Sequence, residues 1–399
     1  MTKLDELIQK LCPNGVEHTC LKKCVTIMRG TRVVKSQLTE TDEYPVFQNC
    51  LTPMGYYEKF NCEEKTTFII VAGAAGEIGY STTKFWAADD CFYFICPQEI
   101  ESRFLYHNLL QQQSFILSKV RRASIPRLAR EVIENLSIPV PPLPVQREIV
   151  RILDNFTELT AELTAELTAR KQQYAYYRDK LLNVENHTEW RTLGDIIVSL
   201  NTGLNPRQFF KLNTDDAHNY YVTIREIQNG TIIVSDKTDK INDEALRLCN
   251  NRSHLEVGDV LFSGTGTIGE TAVISEPPTN WNIKEGVYVI KPQAKVLNSR
   301  YLMYILRTEA LKSAIARKVA GGTVKSIPMA EMRKLRIPVP SLSVQKRLVD
   351  VLDNFDAICS DLNIGLPAEI EARQKQYEFY RDKLLSFKEV STNEQWKEV

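Results

Sequence analysis

The sequence predicts an α+β fold in which two pseudo-symmetric α+β domains are separated by a long antiparallel two-helix coiled coil, with the repeat circularly arranged. Three observations predict it. Residues 136–156, LSIPVPPLPVQREIVRILDNF, return at 335–355 as LRIPVPSLSVQKRLVDVLDNF, with 13 of 21 positions identical. RKQQYAYYRDKLL (170–182) returns as RQKQYEFYRDKLL (373–385), with nine of 13 identical. A period near 200 residues in a chain of 399 is duplicated architecture. Between the matched helical segments lie two stretches rich in short β-branched and aromatic runs.

The elements follow in order. Leu4–Leu11 resembles the end of a long helix, as in Tyr177–Asn183, and is placed at 3–11 within a first domain of residues 1–144. Strands are expected at Thr67–Ala72 and Cys91–Cys96, and a helix over Ser102–Leu117. A long helix then occupies 145–184. Pro144 suits a helix start, where its missing N–H costs nothing. Ile149, Ile152, Leu153, Phe156, Leu159, Leu163, Leu167, Tyr174, Tyr177 and Leu181 recur at helical spacing and give it one apolar face. The second domain covers 185–343, with strands at Tyr220–Ile224, Thr231–Val234 and Gly286–Ile290 and a helix over Ser299–Ala316. The second long helix spans 344–388. Gly365 and Pro367 are costly in a helix interior, so a break is expected near 364–367. Residues 389–399 form a tail.

Connectivity sets the geometry. The first helix leads from one domain to the other, and the second must run back to pack along it. Glu189–Leu193 leads into the second domain as Glu17–Leu21 leads into the first, and Glu394–Lys397 echoes both. The chain therefore closes as a ring of two units, with its ends near each other.

Composition bounds the class. The apolar fraction is 43% and the charged fraction 25%, typical of a soluble globular protein. No run is apolar and long enough to span a membrane, and the start lacks a signal core, so a cytoplasmic location is expected. The nine cysteines lack a partnering pair at zinc spacing and read as reduced intracellular thiols, with no metal site. Net charge is zero, which excludes a strongly basic coat but not local patches. Residues 101–130 hold six Arg and Lys against one acidic residue.

Thr160–Leu163 and Thr164–Leu167 are perfect tandem copies of Thr-Ala-Glu-Leu. Phe156 to Arg170 is 14 residues, whereas Phe355 to Arg373 is 18. The two copies thus differ by one cassette. Four helical residues add about 6 Å of length.

These residues resemble the specificity subunit of type I restriction–modification systems, and the resemblance covers the whole chain. It rests on the duplicated Ile-Pro-Val-Pro-x-Leu-x-x-Gln segments (Ile138–Gln146, Ile337–Gln345), the Tyr-Arg-Asp-x-Leu-Leu helix ends and the tandem cassette. Leu255–Leu261 followed by Ser263-Gly264-Thr-Gly266-Thr-Ile-Gly269 is a further shared pattern, with a variant at Ala72–Gly79. The resemblance implies a non-catalytic reader of double-stranded DNA. Each of two target recognition domains reads half of an asymmetric, bipartite site. The helices space them and dock two modification subunits, which carry S-adenosylmethionine and methylate adenine N6. Restriction subunits, which translocate DNA, join that complex. This chain itself needs no cofactor. Because a base pair advances B-DNA by about 3.4 Å, one cassette corresponds to one or two base pairs of spacing.

The chemistry agrees. An adenine methyltransferase needs an Asn/Asp-Pro-Pro-aromatic loop for its flipped base. Pro141-Pro142 and Pro277-Pro278 precede Leu143 and Thr279 instead. No phosphate loop of the Walker type is present. A stand-alone methyltransferase or nuclease with fused readers, and a purely structural coiled-coil scaffold, are the competing readings. Candidate DNA contacts are the Gly-rich turns (Gly73, Gly76, Gly79; Gly264, Gly266, Gly269), where backbone approaches closely. Lys84 and Lys284 follow those turns. Arg121, Arg122 and Lys325 stand before Ile125-Pro126 and Ile327-Pro328, at matching places, as phosphate contacts. Gln48, Asn49, Gln208 and Arg225 are candidates for base reading.

Overall fold

The computed structural model describes residues 2–183, 188–321, 324–360 and 365–390. The chain divides into two compact units, Met1–Thr164 with Ile370–Val399, and Ala165–Glu369. The first long helix, Leu143–Leu182, runs from one unit into the other. It starts two residues before the expected Val145, with Pro144 in its first turn. At about 1.5 Å per residue it is about 60 Å long.

Both units share one plan. The first unit has a four-stranded antiparallel sheet, in the order Thr26–Arg29, Cys91–Ile95, Thr66–Ile70, Ile78–Ser81. The second has Ile197–Thr202, Val287–Pro292, Val260–Ser263, Thr271–Val273 in the same order. Each unit adds a three-stranded sheet with one parallel pair: Tyr44–Phe47 with Trp86–Ala87, and Asn219–Val222 with Trp281–Ile283. Period-two alternation is weak because the central strands are buried on both faces, as in Phe68, Ile69 and Ile70.

The expected helix over 102–117 is two, Ser102–Gln111 and Gln113–Ser118, divided at Gln112. Its counterpart is Ser299–Leu306 and Glu309–Ala316. Thr308 caps the second of these, its Oγ1 accepting from Leu311 N, so a new helix begins rather than the old one continuing.

Each unit packs a helix pair. In the first, Val145, Ile149 and Leu153 are fully buried with Leu4, Tyr377 and Leu385, each aliphatic contributing about 1.5–3 kcal/mol. Phe156 stacks on Tyr380 at 5.3 Å. In the second, Tyr177 stacks on Phe355 at 6.4 Å, and Tyr174 packs with Leu352 and Cys359. Early residues of the first helix thus meet late residues of the second (Phe156 with Tyr380) and late ones meet early ones (Tyr177 with Phe355), as in an antiparallel pair. The second long helix is Leu342–Ser360 followed by Leu366–Leu384. Gly365 and Pro367 sit at the restart, while residues 361–364 lie outside the described residues, as does the echo at Glu394–Lys397.

The duplicated Gln explains why the motif ends where it does. Gln146 is fully buried. Its Oε1 accepts from Glu101 N at 2.9 Å, and its Nε2 donates to Glu99 O at 2.8 Å and Pro141 O at 2.7 Å. Gln345 repeats this with Asn298 N, Val296 O and Pro340 O. One amide thus ties the start of each long helix to the lead-in of the helix beneath it. Residues near the start of the chain meet the last described ones in the first unit: Val16 N donates to Lys388 O at 2.9 Å, and Val390 N to Val16 O at 3.3 Å.

Candidate nucleic-acid interface

The Gly-rich turns occupy one place in both units. In the first, Gly76 N donates to Ile70 O (2.8 Å) and Gly73 N to Pro126 O (3.1 Å), while Leu128 N donates to Val71 O (2.9 Å). In the second, Gly269 N donates to Ser263 O (3.1 Å) and Gly266 N to Lys325 O (2.9 Å), while Ile327 N donates to Gly264 O (3.0 Å). Gly73 therefore matches Gly266, and Gly76 matches Gly269. All four adopt positive φ, from +80° to +108°, which L side chains resist. Space around Gly266 and Gly269 is open, with nothing within 4 Å of an added Cβ.

Gly79 and Gly264 have another role. Gly79 lies in a strand, where a Cβ would stand 2.2 Å from the Phe68 ring. At Gly264 it would stand 2.3 Å from the Tyr288 ring. These two glycines seat aromatic rings on the sheet. Before the second turn, Asp259 is buried; burial raises its carboxyl pKa, opposed by hydrogen bonds from Glu256 N and the Lys291 ammonium. It fixes the chain just ahead of the strand Val260–Ser263.

Each turn clasps a short hairpin. Arg121 and Arg127 exchange both backbone hydrogen bonds, as do Ala320 and Ser326. This register corrects one expectation. Lys325 stands where Pro126 does, and Ile327 where Leu128 does, so Ile125-Pro126 and Ile327-Pro328 are not counterparts. Arg121 and Arg122 match Ala320 and Gly321. The cause is the tertiary pairing to the Gly turn, which overrides the similarity of the dipeptides.

Lys84 and Lys284 also separate. Ala88 N donates to Phe47 O and Lys284 N to Val222 O, so buried Ala88 is the counterpart of Lys284. Lys84 instead pairs with Glu63 at 3.1 Å and lies 4.1 Å from the Phe60 ring centroid.

The first unit brings together Gly73, Gly76, Arg121, Arg122 and Asn49, whose carbonyl accepts from Ala74 N. Gln48 is half-buried beside it, its carbonyl accepting from Cys91 Sγ. In the second unit, Arg225, Lys284 and Thr265 line a cleft of about 330 Å³ with Ser263 and Gly286. Arg225 is held by Asp239, Nη2 to Oδ2 at 2.9 Å, so it presents a fixed rather than a free guanidinium. Gln208 is exposed on the short helix Pro206–Phe209, whose Pro206 reaches the cleft. Lys119, Arg121, Arg122, Arg127, Lys284 and Lys325 have no carboxylate partner among the described residues. Lys119 and Arg127 were not singled out from sequence; the basic excess over 101–130 was their signal.

In the cassette, Thr160 Oγ1 donates to Phe156 O and Thr164 Oγ1 to Thr160 O, both at 2.8 Å. Leu163 is half-buried, and Leu167 packs against the core of the second unit. The threonines thus bond back along the helix.

The model of the type I restriction modification DNA specificity domain matches twice, at residues 13–170 and 186–372. The Haemophilus influenzae protein S.HindORF215P, named as a type I restriction enzyme specificity subunit, is 32% identical over 405 aligned residues, covering 97% of this chain and 98% of that one. The Escherichia coli EcoR124I/EcoR124II specificity subunit is 35% identical over 278, covering 66% and 67%. The crystal structure of an S subunit from M. genitalium shares the fold, with TM-score 0.57, 16% identity, and coverage of 93% and 96%. The chain belongs to the type I restriction modification DNA specificity domain family.

Proposed function

We propose that this specificity subunit reads a bipartite, asymmetric DNA site, one half through each target recognition domain, at 1–144 and 185–343. The long helices, Leu143–Leu182 and Leu342–Ser360 with Leu366–Leu384, space the two halves. One observation carries the reading: the same positive-φ glycine turn and clasped hairpin recur in both units, each beside cations that have no carboxylate partner among the described residues. Gly266 and Gly269, with nothing within 4 Å of an added Cβ, admit a phosphate or base edge to the backbone, while Gly73 and Gly76, packed against Asn49 and Leu117, shape the matching turn. Arg121, Arg122, Lys284 and Lys325 contact phosphates, which position the duplex without reading it. Asn49, Gln48, Gln208 and Arg225 are the candidates for reading base edges.

The chain reads DNA and does not catalyse; catalysis belongs to partners. Two modification subunits, carrying S-adenosylmethionine, dock on the helices, and restriction subunits join through that complex. Tyr176 and Phe379 support this. They hold the same place in the helical repeat and are 62% and 63% exposed. Large exposed aromatics at repeated positions suit two copies of one partner.

The test is to map methylated adenines in a host carrying this chain and its modification partner. Two short half-sites with an unread gap are expected. Deletion of Thr164–Leu167 is expected to keep both half-sites and change the gap by one or two base pairs. A single contiguous site, or an unaltered gap after deletion, overturns the reading. Charge reversal at Arg121 and Arg122 is expected to lower the salt slope of binding by about 2.

A further inference from the structure

We propose that Ile125 and Val324 are apolar wedges that the two domains drive between base pairs of their respective half-sites. The inference rests on the half-site reading above and adds to it the side chains that enter the duplex.

The hairpin register aligns Ile125 with Val324: each lies two residues before the paired Arg127 or Ser326. Both are β-branched aliphatics, and both are exposed, 53% and 61% respectively. Neighbouring aliphatics at matched places, Ile116 with Ile315 and Leu128 with Ile327, are buried as expected. An exposed branched aliphatic at the same place in two otherwise divergent loops is therefore not core that failed to close.

Three features point to DNA as what covers them. The next residue in each loop, Pro126 or Lys325, gives its carbonyl to the Gly73 or Gly266 amide, so the apolar side chain is held at a fixed distance from the glycine turn. Cations without carboxylate partners among the described residues flank them: Arg121, Arg122 and Arg127 beside Ile125, and Lys325 beside Val324. Residues 121–125 are all exposed, so the first hairpin projects from the sheet rather than lying on it. An aliphatic side chain has no donor or acceptor for a base edge. On a projecting, cation-flanked tip, what it offers a duplex is replacement of stacking at a deformed step. Ile125 and Val324 differ by one methylene, and β-branching leaves each few rotamers, so little entropy is lost on insertion.

The test uses the assembled methyltransferase complex with Ile125→Ser, Val324→Ser, and the conservative Ile125→Val. DNA duplexes carry the mapped half-sites, with 2-aminopurine placed at successive positions. Wild type is expected to brighten the probe at one step in each half-site. Ile125→Ser is expected to abolish that signal in the first half-site only, and Val324→Ser in the second only. Each serine variant is expected to bind about tenfold more weakly with an unchanged salt slope, whereas Ile125→Val retains both signals. Unchanged fluorescence and affinity in the serine variants overturns the wedge while the half-site reading stands. Absence of site-selective methylation by the wild-type complex overturns the half-site reading, and the wedge with it.

Discussion

Replacing Gln146 by Leu removes a side chain that makes three hydrogen bonds of 2.7–2.9 Å at the start of the first long helix. Leu fills the volume but satisfies neither Glu101 N–H nor the carbonyls of Glu99 and Pro141. Each bond is worth about 0.5–1.5 kcal/mol net, and a buried group left unpaired costs somewhat more, so the junction loses about 2–4 kcal/mol. A direct assay is amide hydrogen exchange at Glu101, whose N–H donates to Gln146 Oε1. Its exchange is expected to accelerate by roughly 30- to 1000-fold in the variant, since about 1.4 kcal/mol is a factor of ten. Gln345→Leu is expected to do the same at Asn298. Gln146→Glu discriminates further. It keeps the acceptor for Glu101 but sets a carboxylate oxygen against two carbonyl oxygens, so its defect is expected to ease as pH falls and the acid regains a donor. Acceleration of less than about threefold in Gln146→Leu would refute the argument that this amide holds the helix start.

Four further outcomes are expected. Gly79→Ala and Gly264→Ala force the Phe68 and Tyr288 rings aside and are expected to cost about 1–3 kcal/mol each, read as a lowered Tm. Gly266→Ala meets only its positive φ, at about 1–2 kcal/mol, so its loss of DNA affinity is expected to exceed its loss of stability; the reverse order would argue against backbone approach there. Hydrogen bonds from Arg151 and then Lys3 hold the Glu148 carboxyl down to about 2 from an ordinary 4.5. Its folded pKa is the lower one, so its stabilisation is present above the ordinary value and is lost as pH falls towards about 2; Lys3→Ala is expected to move the Glu148 titration, followed by carboxyl NMR shifts, to higher pH, and an unmoved titration would refute the pairing. Tyr176→Ser and Phe379→Ser are each expected to remove one modification subunit from the assembled complex in native mass spectrometry, with stability changed by less than about 0.5 kcal/mol; full stoichiometry in both would relocate the docking face.

The duplicated plan was legible because its repeated residues do the same buried work twice. Gln146 and Gln345 tie helix starts, and Asp154 and Asp353 accept from Arg103 and Arg300 at 2.8 Å in the two units. Tyr174 and Tyr377 are both buried beside those carboxylates. Helical spacing exposed the long helices to within two residues at their starts. The sites were less legible because loops diverge in length. Ser81 to Trp86 and Val273 to Trp281 differ by three residues, which is why Lys84 and Lys284 looked alike and are not. Glycines told little by spacing alone. Gly79 and Gly264 seat aromatic rings, while Gly73 and Gly266 shape a turn, and only the hydrogen bonds to Pro126 and Lys325 separate the roles.

The building of the first unit from an early and a late segment of the chain has a consequence for synthesis. The second unit is one continuous stretch, Ala165–Glu369, and can be completed as it leaves the ribosome. The helix cluster of the first needs residues 370 onward, so Val145, Ile149 and Leu153 must wait for Tyr377 and Leu385 before their face is covered. At about 5–20 residues per second, the roughly 200 intervening residues impose a wait of about 10–40 s. The sheet core of the first unit needs none of those residues, so it is this helix face alone, translated early and covered last, that stays open to chaperones throughout that interval.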